Sequence, residues 1–347
     1  GEDPPVAGDK GNGAVVAGGF KAKDEGHGSA PFASERLLAL GGAAMTPRLT
    51  LGTRASPLAL AQARMAAAAI EEAQGWESGS VALYEVRTSG DRIQDRPLAE
   101  VGGKALWTKE LDFALLDGTT QASVHSCKDV ESVRPEALVI AACLPRADVR
   151  DRLIGAPSIE AISQGGRVGT SSPRRTAQLL RRRPDLQAVS IRGNVATRLN
   201  RVAAGEVEAT FLAAAGLDRL GIEEGQPIEP ALFLPAPGQA AIVIECRADD
   251  EATRALLRTI DHQPTHRAVR AERAFARAVG GSCHSPVAAL GLVEGDDRLW
   301  LRAELLSTDG AERIAGEVRA SEGEEEAAAE ALAAQLLADA PANVRIL

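Results

Sequence analysis

Val168-Gly169-Thr170-Ser171-Ser172-Pro173-Arg174-Arg175 is the stretch on which the fold turns. A short apolar strand ends in small residues. Ser172 is placed to cap a helix, and Pro173 suits the first helical position, where its missing N–H costs nothing. The same strand-turn-helix entrance occurs earlier as Gly52-Thr53-Arg54-Ala55-Ser56-Pro57. Two such entrances in one chain predict an internal duplication, with two similar α/β domains facing a cleft. Arg174 and Arg175 fall in the first helical turn, where the helix dipole disfavours cations. Placed there, they suggest an anion to neutralise, since free N–H groups and guanidinium forks suit carboxylate or phosphate. The alternative is a solvated surface with ordinary salt bridges. Arg192-Gly193-Asn194-Val195-Ala196-Thr197-Arg198 repeats the pattern and favours the anion.

Outward from these segments the chain alternates strand and helix. Strands are predicted over 49–52, 81–87, 122–124 and 137–142, with helices over 57–73 and 109–116, giving a mainly parallel sheet. Residues 144–151 look like a crossing into a second unit. Its strands are 168–170, 188–191 and 209–214; its helices are 195–204 and one from Pro173 that stops at Pro184. Leu234-Pro235-Ala236-Pro237-Gly238-Gln239 reads as a hinge returning the chain to a strand over 241–246. A helix over 265–279, three strands over 287–293, 298–306 and 313–318, and a helix over 324–338 form a small α+β domain. The expected domains are 46–144 with 240–262, then 148–236, then 263–347. The architecture is thus two hinged α/β domains, like a periplasmic binding protein, with a C-terminal α+β domain. Residues 1–45 are glycine-rich, without periodicity, a cationic n-region or an apolar h-region, so a disordered extension and no secretory signal are expected.

The chain has 347 residues, 45% hydrophobic and 25% charged, and is well able to bury a core. A net charge of −9 argues against nucleic-acid or membrane-surface partners, so local basic clusters read as site chemistry. No apolar run approaches the roughly 20 residues needed to span a bilayer. Cys127, Cys143, Cys246 and Cys283 form no CxxC pair, which predicts free thiols in a reducing cytoplasm and no metal site. P-loop, dinucleotide, HExxH and GxSxG signals are missing.

Three segments remain as candidates for chemistry. Cys283, in Gly280-Gly281-Ser282-Cys283-His284, is either a nucleophilic thiol on a glycine loop or an inert side chain at a domain junction. Asp129, in His125-Ser126-Cys127-Lys128-Asp129, follows a strand; it can stabilise a developing cation or shuttle a proton, or simply pair with Lys128. Val101-Gly102-Gly103-Lys104-Ala105-Leu106-Trp107 reads either as a lid carrying charge or as a surface turn.

Taken in order, these segments resemble the porphobilinogen deaminase (hydroxymethylbilane synthase) family over about residues 48–347. The landmarks are Thr53 to Leu60, Val101 to Lys104, His125 to Asp129, Val168 to Arg175, Arg192-Gly193-Asn194 with Arg198, Ala215 to Gly221, Pro237-Gly238-Gln239, and Ala271-Glu272-Arg273-Ala274 leading to Cys283. The resemblance implies a transferase of tetrapyrrole biosynthesis that condenses four porphobilinogen molecules head to tail into linear hydroxymethylbilane, releasing ammonia. It implies a covalent dipyrromethane cofactor held by a thioether at Cys283, and Asp129 as the catalytic carboxylate. Expelling ammonia from the substrate leaves a cationic pyrrole, which a carboxylate beside the pyrrole N–H stabilises. Each pyrrole carries acetate and propionate groups. Ser126, Lys128, Thr170, Ser171, Ser172, Arg174, Arg175 and Arg198 are therefore assigned to the cofactor. Arg54, Ser56, Lys104, Arg192, Arg219 and Gln239 are assigned to the substrate.

The resemblance further implies a cytoplasmic monomer with a small-molecule substrate. Four positions depart from the family pattern: Glu131 in place of a proline, Glu100 in a loop that is basic in some relatives, Trp107 in place of phenylalanine, and Ala240 in place of glycine. They bear on rate and loop motion and remove no catalytic group. A two-domain solute-binding protein would share the architecture but has no use for a cysteine on a presented loop.

Overall fold

A computed structural model describes residues 37–38, 46–86, 108–281 and 285–344. The first sheet contains β1 (Leu37–Leu38), β2 (Leu49–Arg54), β3 (Val81–Val86), β4 (Ala122–Ser126), β5 (Leu138–Cys143) and a strand from much later in the chain, Ile242–Arg247. Between β2 and β3 runs α1 (Pro57–Gln74), which Ser56 caps by accepting from Ala59 N and which ends at Gly75 in the left-handed region. Its Ala63, Ala66, Ala67 and Ile70 pack on Leu49, Leu51 and Leu83 of the sheet. Helix α2 (Lys109–Leu116) precedes β4.

A second sheet holds β6 (Asp151–Ile154), β7 (Arg167–Gly169), β8 (Gln187–Val189), β9 (Ala209–Ala213) and β10 (Gln226–Ile228). Its helices are α3 (Pro173–Arg182), α4 (Val195–Ala203) and the short α5 (Ala214–Asp218). Phe211 and Phe233 stack in its core with centroids 5.0 Å apart. The chain then returns to the first sheet as β11 (Ile242–Arg247) and continues through α6 (Glu251–Arg258) and α7 (Gln263–Ala278). The C-terminal strands β12 (Val287–Val293), β13 (Leu299–Leu306) and β14 (Arg313–Ala320) form a meander. Helices α7 and α8 (Glu325–Asp339) cover it, burying Phe275, Leu301, Leu305 and Leu332.

The α/β class stands, but the sheets are mixed and not mainly parallel. The strand orders are β1-β3-β2-β4-β11-β5 and β10-β6-β9-β7-β8. Strand β2 is parallel to β3 and β4, while β11 runs antiparallel to both β4 and β5. In the second sheet β7 is parallel to β8 and β9, and β6 is antiparallel to β9 and β10. The reversal in the first sheet arises because β11 enters it from the second sheet and not through a helical crossover from a neighbour. Strands β6 and β10 and helices α5 and α6 were not anticipated from the sequence. Leu37–Leu38, inside the stretch expected to be unstructured, pairs antiparallel with β3.

The two connections between the sheets meet at a buried ion pair. Arg146 Nη1 contacts Glu272 Oε1 of α7 at 2.6 Å, with Glu272 fully buried. Arg146 Nε donates to Gln239 O at 3.0 Å, and Glu272 accepts from Gly238 N at 2.6 Å and Gly291 N at 2.7 Å. Both connections and the C-terminal meander are thereby fastened to one side chain of α7.

Candidate active site

Strand β4 delivers Ser126 and runs straight into a 3-10 turn, Cys127–Asp129, whose Cys127 is buried. Asp129 opens on a cavity of about 50 Å3 that Arg54, Ser56, Gln62, Thr108, His125 and Ser126 also line. Ser126 Oγ exchanges hydrogen bonds with Gln62, accepting from Nε2 at 2.9 Å and donating to Oε1 at 3.0 Å. His125 is pushed down to about 4 by burial first and then by Arg134, so it is neutral at pH 7. It is a packed histidine in the cavity wall.

Lys128 and Asp129 lie near the cations of helices α3 and α4. Burial, then Arg175, lowers Lys128 to about 8, against the pull of Asp129 and Asp151. Arg198 falls to about 10 through burial and the neighbouring Arg175 and Arg192. Helix α3 starts as expected, with Ser172 accepting from Arg175 N at 3.4 Å and Thr170 Oγ1 accepting from Ser172 N at 3.1 Å. Arg174 and Arg175 are buried, however, and share Asp151: Arg174 Nη2 to Oδ2 is 2.8 Å and Arg175 Nη2 to Oδ1 is 2.6 Å. Burial opposes ionisation of Asp151, but the two arginines outweigh it and hold the carboxyl far below its ordinary range.

Ser171 Oγ donates to Ile191 O, and Arg198 Nε donates to Gly193 O at 3.0 Å. Arg219 Nη2 donates to Ala240 O at 2.6 Å. Gln239 is fully buried and donates to Val149 O at 2.8 Å and Asp151 Oδ1 at 3.0 Å. Ser56 caps α1 at the rim of the Asp129 cavity, and Arg192 is half-buried. Lys104 and Cys283, with Glu100 and Trp107, lie outside the described residues.

Sequence reasoning missed Gln62 and Asp151. Gln62 signals itself as a polar residue within the alanine stripe of α1, and Asp151 as an acid opening the apolar run Leu153-Ile154. A larger cavity, about 290 Å3, lies among β5, α6 and α7. Most of its arginines are matched: Arg254 by Glu251, Arg267 by Asp297 and Glu325, Arg270 by Glu326. That balance makes it a poorer anion site than the cluster around Lys128. Cys143, Asp261 and His266 come together beside it, where Asp261 accepts from Cys143 N at 2.8 Å and pairs with His266 Nδ1 at 2.9 Å.

Residues 49–255 match the family model described as porphobilinogen deaminase, dipyromethane cofactor binding domain, and residues 266–339 match the porphobilinogen deaminase C-terminal domain. The chain belongs to the porphobilinogen deaminase family. A porphobilinogen deaminase of Sphingopyxis alaskensis is 54% identical over 305 residues, covering 86% of this chain and 96% of that protein. One from Paracoccus denitrificans is 45% identical over 300 residues, covering 85% and 95%. The family model names a cofactor, and the residues present fit it. Arg174 Nε, Arg175 Nε and Arg219 Nε are buried with no hydrogen-bond partner among the described residues. Among the described residues, Lys128, Arg174, Arg175 and Arg198 outnumber the carboxylates that act on them, Asp129, Asp151 and, beside Arg174, Glu304. Such a donor set suits a group bearing several carboxylates.

Proposed function

We propose that this chain is a porphobilinogen deaminase, joining four porphobilinogen molecules head to tail into linear hydroxymethylbilane with release of ammonia. The observation that carries the reading is the juxtaposition of Asp129, on its small cavity, with the cation cluster of Lys128, Arg174, Arg175 and Arg198. Asp129 presents its carboxylate to the pyrrole N–H of the incoming substrate and stabilises the positive charge that grows as ammonia departs. The same carboxylate accepts the proton lost when the new carbon–carbon bond is complete.

When bound through Cys283, the dipyrromethane supplies the pyrrole end to which substrate is joined. Lys128, Arg174, Arg175 and Arg198, with Ser126, Thr170, Ser171 and Ser172, hold its carboxylates. Asp151 orients the two arginines of α3. Arg54, Ser56, Lys104, Arg192, Arg219 and Gln239 serve the substrate side, and the buried Gln239 acts there through Asp151.

The three sheets support a division into 46–144 with 240–262, 148–236, and 263–347. The proposed state is a monomer in the cytoplasm. Cys127, Cys143 and Cys246 are free and buried, as a reducing compartment permits, and no helix among the described residues is long and apolar enough to cross a membrane. Intact-protein mass spectrometry tests the assignment. An adduct of two porphobilinogen-derived units is expected, and it should vanish in Cys283→Ala. A folded wild-type protein that stays unmodified when given porphobilinogen would overturn the reading.

A further inference from the structure

Thr108 stands at the N-cap of α2 but makes no side-chain cap bond, and its backbone sits at φ −113°, ψ −26°. A threonine in that position ordinarily accepts from a first-turn N–H of its own helix. Here the hydroxyl is diverted. It donates to Glu131 Oε2 at 3.0 Å and accepts from Arg134 Nη1 at 3.3 Å. Arg134 Nη1 also donates to Glu131 Oε2 at 3.0 Å, so the three side chains close a ring.

The rest of the Arg134 guanidinium is fully engaged. Nε and Nη2 donate to Glu245 at 3.0 and 2.9 Å, and Nη2 donates to Asp112 Oδ1 at 2.5 Å. Glu245 is fully buried, with Oε2 3.3 Å from His125 Nε2. Thr108 and His125 both line the cavity onto which Asp129 opens. Arg134 therefore supports two walls of that cavity, one through Thr108 and one through Glu245 beside His125. Glu131 is two residues beyond Asp129, and its own backbone is pinned by Arg273 of α7, whose Nη2 donates to Glu131 O at 2.7 Å and Nη1 to Val130 O at 3.2 Å.

We infer that Glu131 is a positioning residue for the reaction at Asp129: its carboxylate ties the turn that carries Asp129 to the Thr108 wall of the same cavity, with Arg134 as the common support. The inference rests on Asp129 being the catalytic group, and it gives Glu131 a role through geometry without contact with the substrate. A small displacement of a catalytic group is enough to lower turnover by orders of magnitude while leaving binding nearly intact.

The test combines kinetics with an activity-independent readout. Glu131→Ala is expected to lower kcat about 10- to 100-fold with KM within about twofold. Glu131→Gln keeps an oxygen for Thr108 and Arg134 and should recover most of the loss. Thr108→Val should copy Glu131→Ala, and the double variant should be no worse than either single one, as for two ends of one interaction. Amide hydrogen exchange over 127–131 should speed up in both single variants. A normal kcat in Glu131→Ala, fully additive losses in the double variant, or unchanged exchange would each overturn the proposal. If wild-type protein turned over no porphobilinogen, the functional reading would fail, while the exchange data would still decide whether Glu131 and Thr108 fix the turn.

Discussion

Gly238 runs so close beneath Cys127 that a Cβ at Gly238 would lie 2.6 Å from Cys127 Sγ. Its φ of +73° is also one that a side chain strains. The Pro237-Gly238-Gln239 segment is thus the floor on which the Asp129 turn rests. Gly238→Ala should cost about 2–4 kcal/mol, combining backbone strain with overpacking. Urea denaturation measures the loss, and kcat should fall with it because the displaced atom adjoins the catalytic turn.

Ala240 adopts φ +70°, a left-handed backbone that alanine disfavours. This is the position where the sequence departs from glycine. Relieving the strain outweighs the extra chain entropy glycine loses on folding, so Ala240→Gly should raise stability by about 0.5–1 kcal/mol. The midpoint of thermal unfolding, compared at equal protein concentration, checks the sign.

Removing the Asp129 carboxylate leaves the 3-10 turn its backbone bond from Val130 N to Cys127 O. Asp129→Ala should therefore fold normally and lose about 10²- to 10⁴-fold in turnover. Ammonia release measured alongside circular dichroism separates that outcome from unfolding. Near-normal ammonia release would remove Asp129 from its assigned role.

Lys128 should make stability and anion affinity move in opposite directions with pH. Its value falls from 10.5 to about 8. Below 8 the ammonium is charged both folded and unfolded, and the folded protein bears the full desolvation burden. Between 8 and 10.5 the unfolded chain keeps a proton that the folded one has released, so this group's contribution to stability rises with pH. Affinity for carboxylates falls over the same window. Lys128→Met should flatten both slopes, read as urea midpoints and as the yield of cofactor-loaded protein formed from porphobilinogen, each measured from about pH 7 to 10. Slopes identical to wild type would show that another group titrates.

Helix starts were legible because capping is local chemistry. Ser56, Ser172 and Asn194 each accept from a backbone N–H three residues ahead, at 3.3, 3.4 and 2.9 Å. Strand direction was not legible, since β11 owes its antiparallel pairing to an excursion through a whole second sheet. Strand β6 was hidden by its length of four residues and by the charges of Arg150-Asp151-Arg152. The anion character of Arg174 and Arg175 could be read, but their burial could not. It depends on Asp151, 23 and 24 residues away in the chain, whose placement is a matter of tertiary structure. Glu131 was noticed as an unusual residue; its partners Thr108 and Arg134 emerge only when β4, α2 and the following loop are assembled.

Among the described residues, Arg146 and Glu272 neither line the Asp129 cavity nor hydrogen-bond to a residue assigned to the cofactor. Yet Glu272 anchors Gly238 and Arg146 anchors Gln239, the two residues that underlie Cys127 and brace Asp151. Breaking a buried pair of this kind by removing one partner typically costs about 3–5 kcal/mol. A genetic screen scoring growth alone would therefore sort Arg146 and Glu272 with Asp129, and only soluble yield or melting behaviour would tell damaged scaffolding from damaged chemistry.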